Sequence, residues 1–353
     1  MKKLRMGLVG AGRIATARHI PAYMTLPQKV DVTAICDIHV QRAEEVARAY
    51  SIPRVFEDYR DMLTEVDAVT ICTPNTFHAE IAIAALKANV HVLSEKPMAL
   101  TTKECASMIA AAKQTKKILS IGYHYRFMKQ SQAAKKLMMH GEIGHPLVVR
   151  VQALRRRKVP GWGVFTQKEL QGGGSLIDYG CHLLDLALWL IGHPQPLEIM
   201  GSTYNALSKT PGQVNEWGKI DSESFDVDDH AVGFVKFAND VTLFIESSWA
   251  ANIREDVESL SISGDRGGLD VFPLQLNYTK HGMLFNTESP WLPGCDDPGL
   301  AQAENFVSAC LGEADVIVKP EEAMAVSQII EAIYESSESR KSVQFEKGKE
   351  ISR

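Results

Sequence analysis

Short apolar runs alternate with amphipathic helical patterns along the first part of the chain. Each run has the length and the branched residues of a buried strand, and in the stretch after it apolar residues recur every three or four positions. Strands that alternate with helices predict a parallel, doubly wound sheet with right-handed crossovers. The predicted elements are the strands Arg5–Gly10, Val30–Cys36, Ala68–Cys72, Val90–Leu93 and Ile118–Gly122, and the helices Val40–Tyr50, Phe77–Lys87 and Thr102–Thr115.

From about Tyr123 the pattern changes to runs in which apolar and polar residues alternate. Consecutive strands joined by short turns predict a mainly antiparallel sheet, with one face covered by the apolar helix Ile177–Ile191. The other predicted elements are the strands Pro146–Ala153, Leu197–Tyr204, His230–Phe237, Val241–Ala250 and Ser259–Ser263, and the helices Ala301–Leu311 and Pro320–Ser336. We therefore predict an α/β, doubly wound domain over residues 1–122 and an α+β domain with a large open-faced sheet over residues 123–353.

The second face of that antiparallel sheet also needs cover. Its strands carry apolar residues on both phases of the alternation, among them Val232, Phe234, Val235, Phe237, Leu243, Phe244, Ile245 and Trp249. An apolar face of this size predicts contact with another copy of the chain, in a homodimer or homotetramer. Burial under local loops is the alternative interpretation. The loop Asn205–Asp229 is too long for a simple connection and is predicted to be a lid or a mobile segment.

A glycine-rich turn joins the first predicted strand to the helix that follows. Its pattern is G-x-G-x-x-A, in which Gly10 permits the tight turn, Gly12 lets backbone N–H groups reach a pyrophosphate, and Ala15 allows close helix packing. The helix N-terminus offers partial positive charge to the phosphates. The turn therefore predicts a Rossmann dinucleotide-binding domain, with cofactor contacts from Gly10, Gly12, Arg13, Ile14 and Ala15.

The second predicted strand is followed by an acid, Asp37, which lies 25 residues after Gly12. That distance is typical of the carboxylate that binds the ribose hydroxyls of a dinucleotide. A carboxylate here would repel a 2′-phosphate, so NAD is favoured over NADP, although Arg13 and Arg42 could weaken the preference. A solvent-facing aspartate at a strand end is the alternative.

Polar residues also follow the later strands of the first domain. Ligands of doubly wound sheets bind beyond the carboxyl ends of the strands, so these residues are candidates for cofactor or substrate contacts. Lys96 is the most notable, because a charged amine in a cleft polarises a hydroxyl well, although a surface lysine is the alternative. The cofactor candidates are Thr73, Pro74, Asn75, His78, Glu95 and Lys96, and the substrate candidates are Lys96, Tyr125 and Arg126.

One later segment carries polar residues inside an otherwise apolar helix. It reads GGGSLIDYGCHLLD from Gly172 to Asp185, and its glycines would let a ligand approach the start of the helix closely. Asp178 and His182 lie four residues apart and share one helix face, so they can contact each other and a common ligand. This spacing is typical of a general base and its partner. Metal binding by this segment is disfavoured, because Cys181 lies about 100° around the helix from His182.

Composition narrows the class of protein. The 353 residues are 45% apolar and 23% charged with a net charge of -5, as in soluble globular proteins. This charge argues against a nucleic-acid partner, and the basic run Arg155–Lys158 is too short to reverse it. The six cysteines show no metal-binding spacing, and the N-terminal apolar run is too short for a leader or a membrane span. We therefore predict a cytoplasmic protein with no membrane contact and no metal.

These motifs together resemble the Gfo/Idh/MocA oxidoreductases, and the resemblance spans essentially the whole chain. The matching segments are GLVGAGRIA, CTPNTFH, SEKP, GYHYRF and GGGSLIDYGCHLLDLALWL. The resemblance implies that Lys96, Asp178 and His182 form the catalytic trio and that copies pair through the antiparallel sheet. It also implies that Arg126 approaches the substrate, and it places the cofactor at Gly10, Gly12, Ala15, Asp37, Asn75 and Glu95.

The resulting prediction is an NAD-dependent dehydrogenase that acts on a secondary alcohol of a cyclic polyol, sugar or sugar derivative. Neutral His182 would take the hydroxyl proton, since an unperturbed imidazole has a pKa of about 6.5. Asp178 would orient it, and Lys96 would stabilise the alkoxide-like oxygen. The alternative is a cofactor-binding sensor that has lost catalysis. Substrate choice is expected to depend on Arg155–Lys158, Trp162 and the loop Asn205–Asp229, segments that the family pattern does not match.

Overall fold

The computed structural model describes residues 3–346, and the chain divides into two compact units. Among the described residues, the first unit takes in 3–127 and Cys295–Ser327, and the second takes in Met128–Gly294 and 328–346. The described strands are β1 Leu4–Val9, β2 Val30–Cys36, β3 Arg54–Phe56, β4 Ala68–Ile71, β5 His91–Ser94, β6 Leu119–Ile121, β7 Pro146–Leu154, β8 Pro196–Tyr204, β9 His230–Phe237, β10 Thr242–Ser248, β11 Val257–Gly264, β12 Gly267–Asp270, β13 Gln275–Lys280, β14 Met283–Glu288 and β15 Val343–Gln344.

Helices separate the strands of the first unit and are fewer in the second. Two of them follow directly on π-helical turns, Ala15–His19 before α1 and Leu176–Gly180 before α8. The α-helices are α1 Ile20–Met24, α2 Val40–Tyr50, α3 Tyr59–Met62, α4 His78–Lys87, α5 Thr102–Thr115, α6 Lys129–Met139, α7 Lys168–Gln171, α8 Cys181–Ile191, α9 Ala206–Lys209, α10 Pro298–Cys310 and α11 Pro320–Ser339.

The first unit contains a six-stranded sheet in the order β3-β2-β1-β4-β5-β6, and every pair in it is parallel. This is the order of a Rossmann sheet, with its topological switch between β1 and β4. The strands β1, β4, β5 and β6 are buried along almost their whole length, since helices cover both faces of such a sheet. The predicted doubly wound fold is confirmed.

The helix α10 completes the core of the first unit. Its residues Ala303, Phe306 and Val307 are buried in the same apolar cluster as residues of β1 and β2. The compact units therefore differ from the predicted ranges 1–122 and 123–353. The physical reason is that the apolar face of α10 packs on the first sheet, although it comes late in the chain.

The second unit contains a nine-stranded sheet in the order β14-β13-β12-β11-β7-β10-β9-β8-β15. Its pairs are antiparallel except for β7 with β10. Ile333 of α11 lies against one face, where a Cβ on Gly201 or Gly233 would come within 2.6 Å of its side chain. Glycine at both positions therefore lets α11 approach the sheet closely. The mainly antiparallel sheet is confirmed as predicted.

The opposite face of this sheet carries exposed apolar side chains. Strand register places Met200, Phe234, Phe244 and Arg150 in one row across β8, β9, β10 and β7. Met200 is 55% and Phe244 is 47% exposed within the chain. A depression of about 520 Å³ lies on the same face. Local loops therefore leave this row uncovered in the described part of the chain.

Several short elements escaped prediction. They include β3, α3 and the hairpin of β13 and β14, which are too short or too polar to show a clear period. The predicted loop 205–229 contains α9, a single helical turn. The stretch Lys168–Ile191 could span a membrane by length and composition alone, but 83% of its apolar window is buried inside the protein.

Lower pH should destabilise the protein through His91, whose Nδ1 accepts a hydrogen bond from the Ile118 backbone N–H at 3.0 Å. Burial, followed by the charge of Lys117, lowers the pKa of His91 from 6.5 to about 4. The unfolded chain binds this proton at the ordinary pKa, so folding stability should fall as pH falls from about 6.5 to about 4. Between pH 7.5 and pH 5, urea unfolding should show a loss of folding free energy about 1 kcal/mol larger for the native protein than for His91→Gln, since solvent screens this partly exposed imidazole. Equal losses in the two proteins would contradict this role of His91.

Candidate active site

The glycine turn of the first unit has the geometry of a dinucleotide cradle. Gly10 has φ +99° and donates its N–H to the Cys36 carbonyl at 2.7 Å. A Cβ on Gly10 would lie 2.6 Å from the Cys72 carbonyl oxygen, whereas a Cβ on Gly12 would meet nothing within 4 Å. Only glycine fits the first position, and the second leaves open space beside the backbone. The turn therefore fits a pyrophosphate group.

Asp37 lies directly beside this turn. Its Oδ2 accepts the Ala11 backbone N–H at 2.9 Å, and its Oδ1 accepts the His39 N–H at 2.8 Å. The Arg42 guanidinium lies 3.7 Å from Oδ2. The backbone thus fixes the carboxylate at the end of β2, in the position where an acid would bind ribose hydroxyls.

The rest of the turn leads into the helical segment before α1. Ala15 is fully buried, which allows the close packing that the motif requires, while Arg13 is exposed and Ile14 is half-buried. A π-helical turn at this place is notable, because such turns occur frequently at functional sites.

The turn after β4 carries Thr73, Pro74 and Asn75, of which Asn75 begins a 3₁₀ turn and is 9% exposed. His78 follows at the start of α4 and is fully buried. Its Nδ1 lies 2.8 Å from the Pro97 carbonyl oxygen and its Nε2 lies 3.0 Å from that of Thr73. Burial lowers the pKa of His78. His78 therefore links the turn after β4 to the turn after β5, and its contact with the cofactor stays a prediction.

Glu95 and Lys96 follow β5, and the Lys96–Pro97 peptide bond is cis. Glu95 is buried and its Oε1 lies 2.7 Å from His19 Nε2. Burial by itself would raise the pKa of Glu95, but the hydrogen bond and charge of His19, together with the charges of Arg18 and Lys96, bring that pKa down to about 2. Glu95 thus stays ionised and joins the turn after β5 to the glycine-turn helix. Lys96 is half-buried beside it.

Tyr125 and Arg126 lie in the 3₁₀ turn after β6. Tyr125 is 9% exposed, and its ring packs edge-on against His124 with centroids 5.0 Å apart. Arg126 is fully buried, and its Nη1 donates to the Ile317 carbonyl at 3.2 Å and to the Glu322 carboxylate. These contacts give Arg126 a structural role within the first unit, and its contact with the substrate stays a prediction.

In the second unit, a buried carboxylate holds the start of the helix that bears Asp178 and His182. Asp228 Oδ1 accepts from the Gly174 N–H at 2.7 Å and from the Tyr334 hydroxyl at 2.8 Å. Its Oδ2 accepts from the Ser175 hydroxyl at 2.9 Å and from the Leu176 N–H at 3.0 Å. A Cβ on Gly174 would lie 1.9 Å from the Asp228 carbonyl oxygen, so glycine is required there. Asp228 therefore fixes both the position and the direction of this helix.

Asp178 lies in the π-helical turn and is half-buried. Its Oδ2 accepts a hydrogen bond from Trp249 Nε1 at 3.1 Å, and Trp249 itself is completely buried at the end of β10. An indole N–H can only donate, so the Asp178 carboxylate oxygen is the acceptor in this contact. The rigid sheet therefore sets the orientation of the Asp178 side chain.

His182 lies in the first turn of α8 and is 7% exposed. Asp185 of the same helix is fully buried.

No group of three or more potential metal ligands occurs among residues 3–346. Lys96 belongs to the first unit, whereas Asp178 and His182 belong to the second.

Sequence reasoning missed three residues that hold the candidate side chains in place: His19, Asp228 and Trp249. Asp228 is 52 residues from Leu176, and Trp249 is 71 residues from Asp178. The local spacing of apolar residues does not reveal contacts between residues so far apart in the sequence. The adjacent acids Asp228 and Asp229, placed at the end of a long loop before an apolar strand, were the one visible signal.

Two family models and a curated relative match the chain. The model described as an oxidoreductase family with an NAD-binding Rossmann fold matches residues 4–123. The GFO/IDH/MocA C-terminal domain model matches residues 131–270. The D-glucoside 3-dehydrogenase of Escherichia coli is 34% identical over 340 residues, which cover 95% of each chain.

Solved structures share the fold along nearly the whole chain. An oxidoreductase domain protein from Kribbella flavida matches 98% of this chain and 100% of its own, with a TM-score of 0.85 and 25% identity. A levoglucosan dehydrogenase in complex with NADH and levoglucosan matches 97% of this chain and 99% of its own, with a TM-score of 0.82 and 25% identity. The matches to both domains and to a full-length relative show that the chain belongs to the Gfo/Idh/MocA family of NAD-binding oxidoreductases.

Proposed function

We propose that the protein catalyses the NAD-dependent oxidation of a secondary alcohol on a sugar, a glycoside or a cyclic polyol, with His182 as the general base. The observation that carries the proposal is the fixed helix of the second unit. Asp228 holds its start and Trp249 holds Asp178, so that an acid and a histidine are mounted on one rigid element. Fixed geometry of this kind is what proton transfer to a positioned base requires.

Each residue of the trio has a separate role in the reaction. His182, as a neutral imidazole, takes the proton of the substrate hydroxyl. Asp178 orients the imidazole or a neighbouring hydroxyl, and Lys96 stabilises the developing negative charge on the oxygen. When bound, the nicotinamide ring accepts the hydride that leaves the carbon. Asp178 suits its role because the Trp249 indole donates to one carboxylate oxygen and restrains the side chain.

NAD is the proposed cofactor in preference to NADP. The Asp37 carboxylate is fixed by two backbone N–H groups beside the glycine turn, so a 2′-phosphate would meet a negative charge that cannot turn away. Arg42 lies 3.7 Å from that carboxylate, where it reduces the repulsion without removing it.

A glycoside is the proposed substrate class. The full-length relative at 34% identity is named a D-glucoside 3-dehydrogenase, and a structural neighbour is a levoglucosan dehydrogenase, so both act on derivatised sugars by name. Glucosides therefore come before free sugars and inositols in the order of testing.

The test is the absorbance of reduced nicotinamide with NAD or NADP across glucosides, hexoses, inositols and their keto forms, with Lys96→Ala as the comparison. We expect NADH formation with glucosides, a much weaker signal with NADP, and loss of the signal in the variant. Activity that persists in Lys96→Ala would contradict the proposed role of Lys96. Tight NADH binding without turnover of any of these compounds would instead favour a sensor that has lost catalysis.

We also propose that copies of the chain pair through the exposed face of the nine-stranded sheet. The row of Met200, Phe234 and Phe244 supports this, because exposed apolar rows of this kind mark contact surfaces. Sedimentation velocity should give two or four times the chain mass of 39.0 kDa. A single species of one chain mass would overturn the proposal.

A further inference from the structure

A row of stacked side chains runs outward from the helix of Asp178. Tyr179 follows Asp178 directly, and the Arg155 guanidinium lies 4.1 Å from the centre of the Tyr179 ring. The same guanidinium also contacts Trp217, whose ring centre lies 4.5 Å from it. Trp162 comes next, with its centroid 5.4 Å from that of Trp217. We call Tyr179, Arg155, Trp217 and Trp162 the stacked row.

Burial changes along the stacked row. Tyr179 at its inner end is 9% exposed, and its hydroxyl donates to Glu258 at 2.8 Å. The two indoles at the outer end are 39% exposed for Trp162 and 38% exposed for Trp217. Side chains that only fill a core would be buried at both ends of such a row. This row instead begins at the residue next to Asp178 and ends in accessible aromatic surface.

The segment that carries Trp217 is attached to the strand end that carries Arg155. The Glu216 N–H donates to the Arg157 carbonyl at 2.8 Å, and the Val159 N–H donates to the Asn215 side-chain oxygen at 2.8 Å. A Cβ on Gly161 would lie 2.4 Å from the Lys219 carbonyl oxygen, so the two segments lie in close contact. The indoles are therefore held in place before any ligand binds, which lowers the entropic cost of stacking a ligand on them.

We propose that the stacked row is a binding subsite for a second ring of the substrate, next to the sugar ring that is oxidised. The inference rests on the proposed function, and it narrows the substrate class to glycosides whose aglycone is a second pyranose. The face of an indole carries negative charge and attracts the polarised C–H bonds of a pyranose ring. The Arg155 guanidinium lies between the rings of Tyr179 and Trp217, and these two contacts restrain the row.

The test compares two ligands that differ by one ring, methyl β-glucoside and cellobiose. Calorimetric titrations on the full chain with NADH present would give the dissociation constants, and initial rates of NADH formation would be measured separately. Trp217→Ala should weaken cellobiose binding about 10-fold and change methyl β-glucoside binding less than about 2-fold. Trp217→Phe should retain most of the affinity, because it keeps a ring at that position. Trp291→Ala is the matched control, since Trp291 is 72% exposed outside the stacked row.

The outcomes separate this inference from the proposed function. Equal weakening for both ligands, unchanged cellobiose binding in Trp217→Ala, or no cellobiose binding by the native protein would each overturn the subsite. Selective loss of cellobiose binding without any NADH formation would leave the subsite standing and contradict the proposed reaction. Melting temperatures and circular dichroism of the variants should match those of the native protein. If Trp217→Ala unfolds, Trp162→Ala is the second variant and should show the same selective loss.

Discussion

Alanine in place of His182 should lower kcat for glycoside oxidation about 1,000-fold, because removal of a positioned general base costs about two to four orders of magnitude. NADH binding should change less than about 2-fold, since the glycine turn and Asp37 lie in the first unit and His182 lies in the second. The two measurements are initial rates of NADH formation and a fluorescence titration with NADH.

The matched control for this prediction is His140→Ala, which removes an exposed histidine at the end of α6. It should leave both kcat and the NADH dissociation constant near their native values. If His182→Ala lowered NADH binding as strongly as turnover, the histidine would be a structural or cofactor-binding residue. Native turnover in the variant would require a different base.

Replacement of Asp228 by alanine should lower the free energy of unfolding by about 3 kcal/mol or more, since buried donors left without an acceptor are costly. Its carboxylate accepts from four donors, namely the N–H groups of Gly174 and Leu176 and the hydroxyls of Ser175 and Tyr334. Burial and the charge of Asp228 raise the pKa of Tyr334, so its hydroxyl remains a donor. Urea unfolding followed by circular dichroism would measure the loss.

Two further variants provide reference values for the loss of unfolding free energy expected in Asp228→Ala. Tyr334→Phe removes one donor together with its need for an acceptor, and should cost only about 1 kcal/mol. Asp226→Ala removes an exposed acid of the same loop, which accepts only the Lys168 N–H among its described contacts, and should cost about 1 kcal/mol or less. A loss for Asp228→Ala no larger than that for Asp226→Ala would show that Asp228 does not hold the helix.

The first sheet could be predicted from sequence because its strands are buried on both faces and its helices show a regular apolar period. The glycine turn and Asp37 could be placed as well, because their spacing is set by one strand, one turn and one helix. The motif around Asp178 and His182 was visible for the same reason, since both residues lie in one helical segment. The roles assigned to them rest on their spacing and on the family resemblance, and they stay predictions.

The contacts that fix those residues could not be predicted. An apolar stripe shows that a helix is covered, but it does not show which sheet covers it, and so the contact of α10 with the first sheet could not be predicted. Likewise, the hydrogen bond from Trp249 to Asp178 depends on the order of strands in the second sheet. Strand order is a property of the whole fold and leaves no local pattern.

The chain passes from one unit to the other more than once, since Cys295–Ser327 returns to the first unit and α11 continues into the second. A fragment ending near Phe127 would lack α10 and would expose apolar surface that Phe306 and Val307 normally cover. An exchange of the second unit between relatives therefore needs three junctions, near Phe127, Gly294 and Ser327. A fusion at a single junction near Phe127 would instead remove α10, and with it part of the core of the first unit.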